Sequence, residues 1–382
     1  MSRCGISNTS GNDCFLNAAM QCLAVSPFIQ EFLKRYTAED NKLFKIINRF
    51  GLGKFKADTI KDECIKILTT QSSVLTPDDI RILSHLKEHS ADIFIYIVFR
   101  DFITNLNSKP TKIIKNISFI TILKELTNGS YASQLFNGEQ NDPHEFLTYL
   151  LDKLHNSKKA SIKIDLPANI DELEIFNKMY FNHLKTKYEN NYSYFVKNFY
   201  YYTLNCVECS KCKLKTHDVC PSDIICVAIP PDLHKVTIHD CLDEMFNVKP
   251  IDYKCESETC KNTKDNRIEK KILSKPKTFI ITIKRYSQVN GRLLKNNKMV
   301  YYPEILNMQN YLCSEGSYKY VLYAIINHTG SLNSGHYYSY VRPQLTNNQW
   351  LCCNDANVSI IQEDEVFSSQ NAYMLFYINI LE

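Results

Sequence analysis

Two sets of closely spaced cysteines constrain this chain more than any other feature. Cys206, Cys209 and Cys212 form two overlapping C-x-x-C pairs, and Cys255 and Cys260 form a C-x4-C pair 43 residues later. Eight of the 15 cysteines fall between 206 and 260, where an even spread would put about two. Paired thiols on two loops suit a tetrahedral Zn2+, which would tie two distant loops together. The alternative is a cysteine-rich core of strands, and the uneven clustering favours metal. The cysteine total is odd, and the start Met1-Ser2-Arg3-Cys4-Gly5 lacks the apolar stretch of a signal peptide. A disulfide framework is therefore not expected; a reducing compartment, cytoplasmic or nuclear, is.

The hydrophobic period changes midway. Leu16, Ala19, Met20 and Leu23 fall on one helical face, as do Phe146, Leu147, Leu150, Leu151 and Leu154. Residues 15–160 read mainly helical. From about 196 the chain reads as strands: Phe279–Tyr286, Tyr320–Ile326, Tyr337–Val341 and Tyr373–Ile378 are rich in β-branched and aromatic residues. Helices first and strands later predict an α+β fold. The longest apolar run, Ile93–Phe99, is far short of the roughly 20 residues that span a membrane, so it reads as a buried element. A net charge of +4 on 382 residues does not point to nucleic acid.

Cys14 is the first candidate for chemistry. The polar, Gly-containing loop Gly5–Asp13 runs straight into an amphipathic helix, with Asn12 or Asp13 as its cap. Cys14 then lies in the first turn, where the helix dipole and unpaired amides favour a thiolate and can receive an oxyanion. A small buried residue at a helix start would read the same way locally. His336 is the second candidate. It follows a loop with two glycines, Gly330 and Gly335, and opens an aromatic strand; the next strand runs Trp350–Val358. In an antiparallel hairpin centred on Leu345, His336 faces Asn354, close enough for that side chain to orient the imidazole. Pleating turns Asp355 to the other face and makes it the understudy. His328 is the competing histidine.

Gly5, Asn8, Gly11, Asn12, Cys14, Asn17 and Gln21 resemble the cysteine box of the ubiquitin-specific proteases. There are two departures: one extra residue between Asn8 and Gly11, and Asp13 where Thr is usual. Gly335–Val341, Trp350, Asn354-Asp355 and Val358 are similar to that family's histidine box, and Asn371–Tyr377 to its closing strand. Gln140-Asn141-Asp142-Pro143-His144-Glu145-Phe146-Leu147 resembles the segment beside the channel for ubiquitin's C-terminal tail. Taken alone it reads as a capped helix start, with Asp142 as cap and Pro143 first in the helix.

The resemblance covers the chain from Gly5 to Tyr377 and implies a single catalytic domain with papain-like thumb, palm and fingers. Its parts would be a helical thumb at about 5–195, zinc-bearing β-rich fingers at about 196–275, and palm strands at about 276–382. It implies a thiol-dependent hydrolase that cuts after the C-terminal Gly of ubiquitin. Cys14 would be the nucleophile, His336 the base and Asn354 its orienter, with Asp355 in reserve. The family's oxyanion Asn lies five residues before the Cys, where this chain has Thr9; Asn8, six before, takes the role if the loop bulges. Gln140, Asp142 and Glu145 would contact the arginine-bearing tail of ubiquitin. A structural Zn2+ would sit on Cys209, Cys212, Cys255 and Cys260, with Cys206 spare; the second pair precedes Ile283-Lys284-Arg285-Tyr286, which matches a family strand. Ubiquitin and ubiquitinated proteins would be the partners. A protease for another ubiquitin-like modifier, an inactive ubiquitin-binding scaffold and a zinc-ribbon interaction protein are the competing readings.

Overall fold

The computed structural model describes residues 3–54, 57–108, 112–168, 175–289, 292–313, 318–331 and 334–379. The chain forms two compact units, residues 1–159 with 352–359, and residues 160–351 with 360–382.

The first unit is helical: α1 (Cys14–Val25), α2 (Pro27–Arg35), α3 (Thr37–Arg49), α4 (Ala57–Thr70), α5 (Pro77–Ser108), α6 (Ile117–Thr127) and α7 (Pro143–Ser157). Local chemistry sets several ends. Ser26 caps α2 through the Ile29 N–H, with Pro27 at the first position and Lys34 and Arg35 in the last turn. Asp142 caps α7 through the His144 N–H at 2.7 Å, and Pro143 follows, as the sequence predicts. All twelve residues of α1 are buried, and α2, α5 and α7 pack around it. The α5 helix changes direction at His89, where φ is −129°. A second core joins α3, α4 and α5 through Leu43, Ile46, Ile60, Leu83 and Leu86. Beside it Asp40, fully buried, accepts from Tyr96 Oη, Arg100 at 2.8 Å and Lys158 at 2.7 Å.

The second unit begins with α8 (Ile175–Tyr188) and α9 (Tyr194–Asn198). A four-stranded sheet follows, built from β1 (Tyr201–Glu208), β2 (Lys215–Ser222), β5 (Lys249–Ile251) and β6 (Asn266–Ile272) in the order β2-β1-β6-β5. Between β2 and β5 come β3 (Ile224–Ala228), β4 (Val236–Thr237) and α10 (Ile238–Phe246). The Thr237 and Asp240 side chains cap α10 reciprocally. Then follow β7 (Thr278–Lys284), β8 (Tyr286–Val289), β9 (Arg292–Lys295), β10 (Val300–Tyr301), β11 (Ile305–Asn307), β12 (Lys319–Gly330) and β13 (Gly335–Val341); β14 (Trp350–Asn354) and β15 (Asn357–Ile361), which belong mostly to the first unit; and, again in the second, α11 (Glu363–Phe367) and β16 (Ala372–Ile378). Within this unit β13, β12, β16, β7 and β3 lie side by side, with β11 also on β12. β16 is buried along its whole length and β7 over its first six residues. That is why they read as continuous apolar runs rather than alternating ones.

The order of helices and strands is α+β, as the change of period predicts. Two expected strands are shorter than the pattern suggested. The run 279–286 breaks at Arg285, whose buried guanidinium donates to the carbonyls of Ala372, Asn296 and Lys298 at 2.7–3.0 Å. The run 350–358 breaks after Asn354, because Asp355 turns into the left-handed region (φ 51°) and separates β14 from β15. Asp355 is thus a turn residue, and strand pleating does not set its direction. Among the described residues no helix is long and apolar enough to cross a membrane.

Candidate active site and metal centre

The loop before Cys14 is built on the β14–β15 turn. Gly5 lies against the backbone of Ala356: a Cβ there would sit 2.1 Å from the Ala356 carbonyl oxygen. The Ile6 N–H donates to Asp355 O at 2.8 Å, and Ile114 exchanges hydrogen bonds with Gly5 and Ser7 at 2.9 and 2.8 Å. Both carboxylate oxygens of Asp355 accept side-chain amides, from Asn17 at 2.8 Å and from Asn8 at 3.0 Å. Asn8 also donates to Gly11 O at 3.3 Å, and its own oxygen accepts the Asp13 N–H at 3.0 Å. Gly11 takes φ 84°, the bend that lets the loop close on itself. Gln21 donates to Cys4 O at 2.8 Å, and Asn12 reaches Gly138 O at 2.8 Å, just before Gln140. The amides and glycines of the cysteine box therefore all act in shaping this loop.

Cys14 is the first residue of α1 and is buried. Its N–H and those of Phe15 and Leu16 have no carbonyl partner within the helix. Asp13 occupies the N-cap position, but its side chain makes no cap bond. Its Oδ2 instead accepts from the Ser10 N–H at 3.3 Å and from Asn116 Nδ2 at 3.2 Å. The helix amides beside Cys14 are thus left available to negative charge, which is what a thiolate and an oxyanion require. Asn8, the expected oxyanion donor, directs its amide at Asp355 and Gly11 in this structure; Thr9 Oγ1 bonds to Ser7 Oγ at 3.3 Å.

The start of α7 carries three further candidates of this unit. Gln140 and Glu145 are exposed and Asp142 is half-buried at the cap. The helix is set against α1 by the edge-on contact of Phe146 with Phe15, 5.9 Å between centroids. Asn354, at the end of β14, is exposed.

His336 lies in the second unit. It stands opposite Thr329 across β13 and β12 and is half-buried. His328, its competitor, is buried behind it. Tyr286 Oη bonds His328 Nδ1 at 2.9 Å, and a Cβ on Gly335 would lie 2.1 Å from His328 Nε2. Burial first, and then the charges of Lys295 and His336, lower His328 to about 4. It is therefore neutral at pH 7 and packs as a wedge under the loop that leads to His336.

The candidate metal centre is also in the second unit. Cys209 and Cys212 lie in the turn after β1, and Cys255 and Cys260 between β5 and β6. Their four sulfurs lie within 4.8 Å of one another, with Cys209 3.7 Å from Cys260 and Cys212 3.5 Å from Cys255. Zinc–sulfur bonds of about 2.3 Å in a tetrahedron put the sulfurs about 3.8 Å apart, so the four fit such an ion. Backbone N–H groups of Cys212 and Lys211 hold the Cys209 thiol below the ordinary thiol range, while desolvation and the neighbouring thiols of Cys212 and Cys209 raise Cys255 and Cys260. The residue after each second cysteine, Lys213 and Lys261, has positive φ, 60° and 47°, where the chain curls round the sulfurs. Cys206, on β1 opposite His217, is outside the group, and the wider C-x4-C spacing is absorbed by the turn.

Sequence reasoning missed Asn116, Tyr286 and the anchoring role of Asp355. Tyr286 and Asp355 stand in motif segments, but nothing local marks these contacts; Asn116 merely precedes an apolar helical run, and its partners are about a hundred residues away.

A family model described as "Ubiquitin carboxyl-terminal hydrolase" matches residues 4–377. The "Probable ubiquitin carboxyl-terminal hydrolase 8" of Schizosaccharomyces pombe is 29% identical over 247 residues, 64% of this chain and 47% of that protein. A probable ubiquitin carboxyl-terminal hydrolase of Acanthamoeba polyphaga mimivirus is 24% identical over 98% of this chain and 89% of its own length. The chain spans less than half of each of the first three curated relatives it matches. Among solved structures, a SAGA DUB module containing Ubp8, Sgf11, Sus1 and Sgf73, bound to monoubiquitin, matches with a TM-score of 0.65. The match is 20% identical and covers 98% of this chain and 68% of that one, a likeness of fold.

Proposed function

The chain belongs to the ubiquitin carboxyl-terminal hydrolase family, and from that premise we propose that it is a cysteine-dependent deubiquitinase that hydrolyses the bond after the C-terminal Gly of ubiquitin. The observation that carries this reading is the environment of Cys14: a thiol at the first position of a buried helix, beside amides that its own N-cap residue leaves unoccupied.

In the proposed reaction His336 takes the proton of Cys14 while Asn354 orients the imidazole. The thiolate attacks the terminal Gly carbonyl, and the N–H groups at the start of α1 receive the oxyanion. For Asn8 to add a donor, its amide must leave Gly11 or Asp355. The imidazolium protonates the departing lysine amine as the C–N bond breaks. Water, deprotonated by His336, then hydrolyses the thioester and returns the Cys14 thiol. Asp142, Glu145 and Gln140 would face the basic tail of ubiquitin. Cys209, Cys212, Cys255 and Cys260 would hold Zn2+ in a closed four-thiolate site, whose contribution is structural. Fifteen cysteines, an odd number, suit a reducing compartment, cytoplasm or nucleus.

The test is release of a fluorophore from the C-terminus of ubiquitin. We expect turnover by the wild type and none by Cys14→Ala. A folded, zinc-loaded wild type without turnover would sink the proposal. A ubiquitin probe with a C-terminal electrophile, and binding of unmodified ubiquitin, would then separate a different modifier from an inactive scaffold.

A further inference from the structure

Asp13 and Asn116 hold the N-cap positions of α1 and α6, and neither side chain caps its own helix. Both are among the residue types that cap best, so each forgoes the hydrogen bonds nearest to it. They bond to each other instead. Asn116 Nδ2 donates to Asp13 Oδ2 at 3.2 Å and to Asn17 Oδ1 at 3.1 Å. Thr9 Oγ1 donates to Asn116 Oδ1 at 3.4 Å, and Ser10 N–H is the second donor to Asp13, at 3.3 Å. Asn116 is fully buried and belongs to no motif.

The arrangement matters at Cys14. An Asp in the N-cap position ordinarily accepts from the second or third helix amide, here Phe15 or Leu16. Its carboxylate would then occupy the amides that a thiolate or an oxyanion needs, and its charge beside Cys14 would disfavour the thiolate. We infer that Asn116 is a positioning residue for the nucleophile: it draws the Asp13 carboxylate off the end of α1 and keeps those amides open to charge forming at Cys14. Asp355, the other carboxylate tied into this corner, is already held by Asn8 and Asn17. With both carboxylates taken up by amides, neither is left to cap the helix. The inference rests on the proposed role of Cys14.

The experiment is alkylation of Cys14 by iodoacetamide, followed by mass spectrometry of the Cys14 peptide from pH 5 to 10. In Asn116→Ala we expect the half-reaction pH to rise by about one unit and the rate at pH 7 to fall about tenfold. Asp13→Ala should react like the wild type, and the double variant should recover the wild-type rate, because no carboxylate remains to fall back on the helix. If Asn116→Ala does not fold, Asn116→Leu, of similar size but with neither the amide donor nor a charge, must show the same loss and the same rescue. An unchanged rate in the Asn116 variant overturns the inference. So does a loss that persists when residue 13 is Ala, or a slow Asp13→Ala single variant. No ubiquitin is involved. A wild type that alkylates as expected but releases no fluorophore would refute the proposed reaction and leave this inference standing.

Discussion

Replacing Gly5 by Ala tests whether the loop before Cys14 is truly built on the β14–β15 turn. An ideal Cβ at residue 5 would meet three backbone atoms of Ala356, at 2.1, 2.5 and 2.7 Å. Ordinary carbon–oxygen contact needs more than 3 Å, so about 1 Å of separation must open. None of the three atoms can rotate away as a side-chain tip could. Opening that gap strains the Ile6 N–H bond to Asp355 O and the Asn8 and Asn17 bonds to the Asp355 carboxylate. A neutral bond contributes about 1 kcal/mol and one to a charged group about 1.5–3. Partial loss of these bonds should cost roughly 2–4 kcal/mol, or about 5–15 °C in the Tm of a first unit that unfolds by itself and about 2–5 °C for a chain that unfolds as one. Gly53→Ala is the matched control. Its Cβ would lie 3.6 Å from Ile47 Cγ2, an ordinary contact, so it should be neutral or gain up to about 1 kcal/mol by stiffening the unfolded chain. Thermal and urea unfolding of the two variants decide the matter. A Gly5→Ala protein that melts within about 2 °C of wild type with full Cys14 reactivity would falsify the close packing on which the loop argument depends.

Other consequences can be checked in parallel. Chelation, or Cys255→Ser, should remove about one zinc per chain by atomic absorption and lower the Tm, whereas Cys206→Ser should leave the metal content unchanged. Asp40→Ala should destabilise the first unit by about 3–5 kcal/mol in urea, because it leaves Lys158 and Arg100 buried without their carboxylate; a loss below about 1 kcal/mol would contradict the buried network. His328 and His89 both have folded values lowered to about 4, chiefly by burial, against about 6.5 unfolded. Between those values the unfolded chain binds more protons, so this stability is present above about pH 6.5 and lost as pH falls toward about 4. His328→Gln should flatten the slope of unfolding free energy against pH across that window by about one proton; an unchanged slope would mean that the ring is not held neutral.

Much of the fold was legible because it depends on neighbours in sequence. Asp142 before Pro143 announces a capped helix, and the structure places the cap there. The β-branched and aromatic runs of β7 and β16 read as strands, and the structure buries them almost throughout. Residues 36–130 were harder. The starts of α3 and α6 lack side-chain caps to read, and α5 runs through its own kink at His89.

The sequence by itself determined the change from helix to strand and the family, and through the family resemblance the Cys209, Cys212, Cys255, Cys260 set that the structure gathers, because period, spacing and motif are properties of short segments. Only the tertiary structure decided how competing polar groups pair. Asp13 stands where it should cap α1 yet bonds Asn116, and Asp355 leaves the strand to anchor Asn8 and Asn17. A carboxylate has several donors within reach of its own segment. Which donor it takes depends on what the fold brings alongside, and on the cost of leaving a buried amide such as Asn116 or Asn17 without a partner.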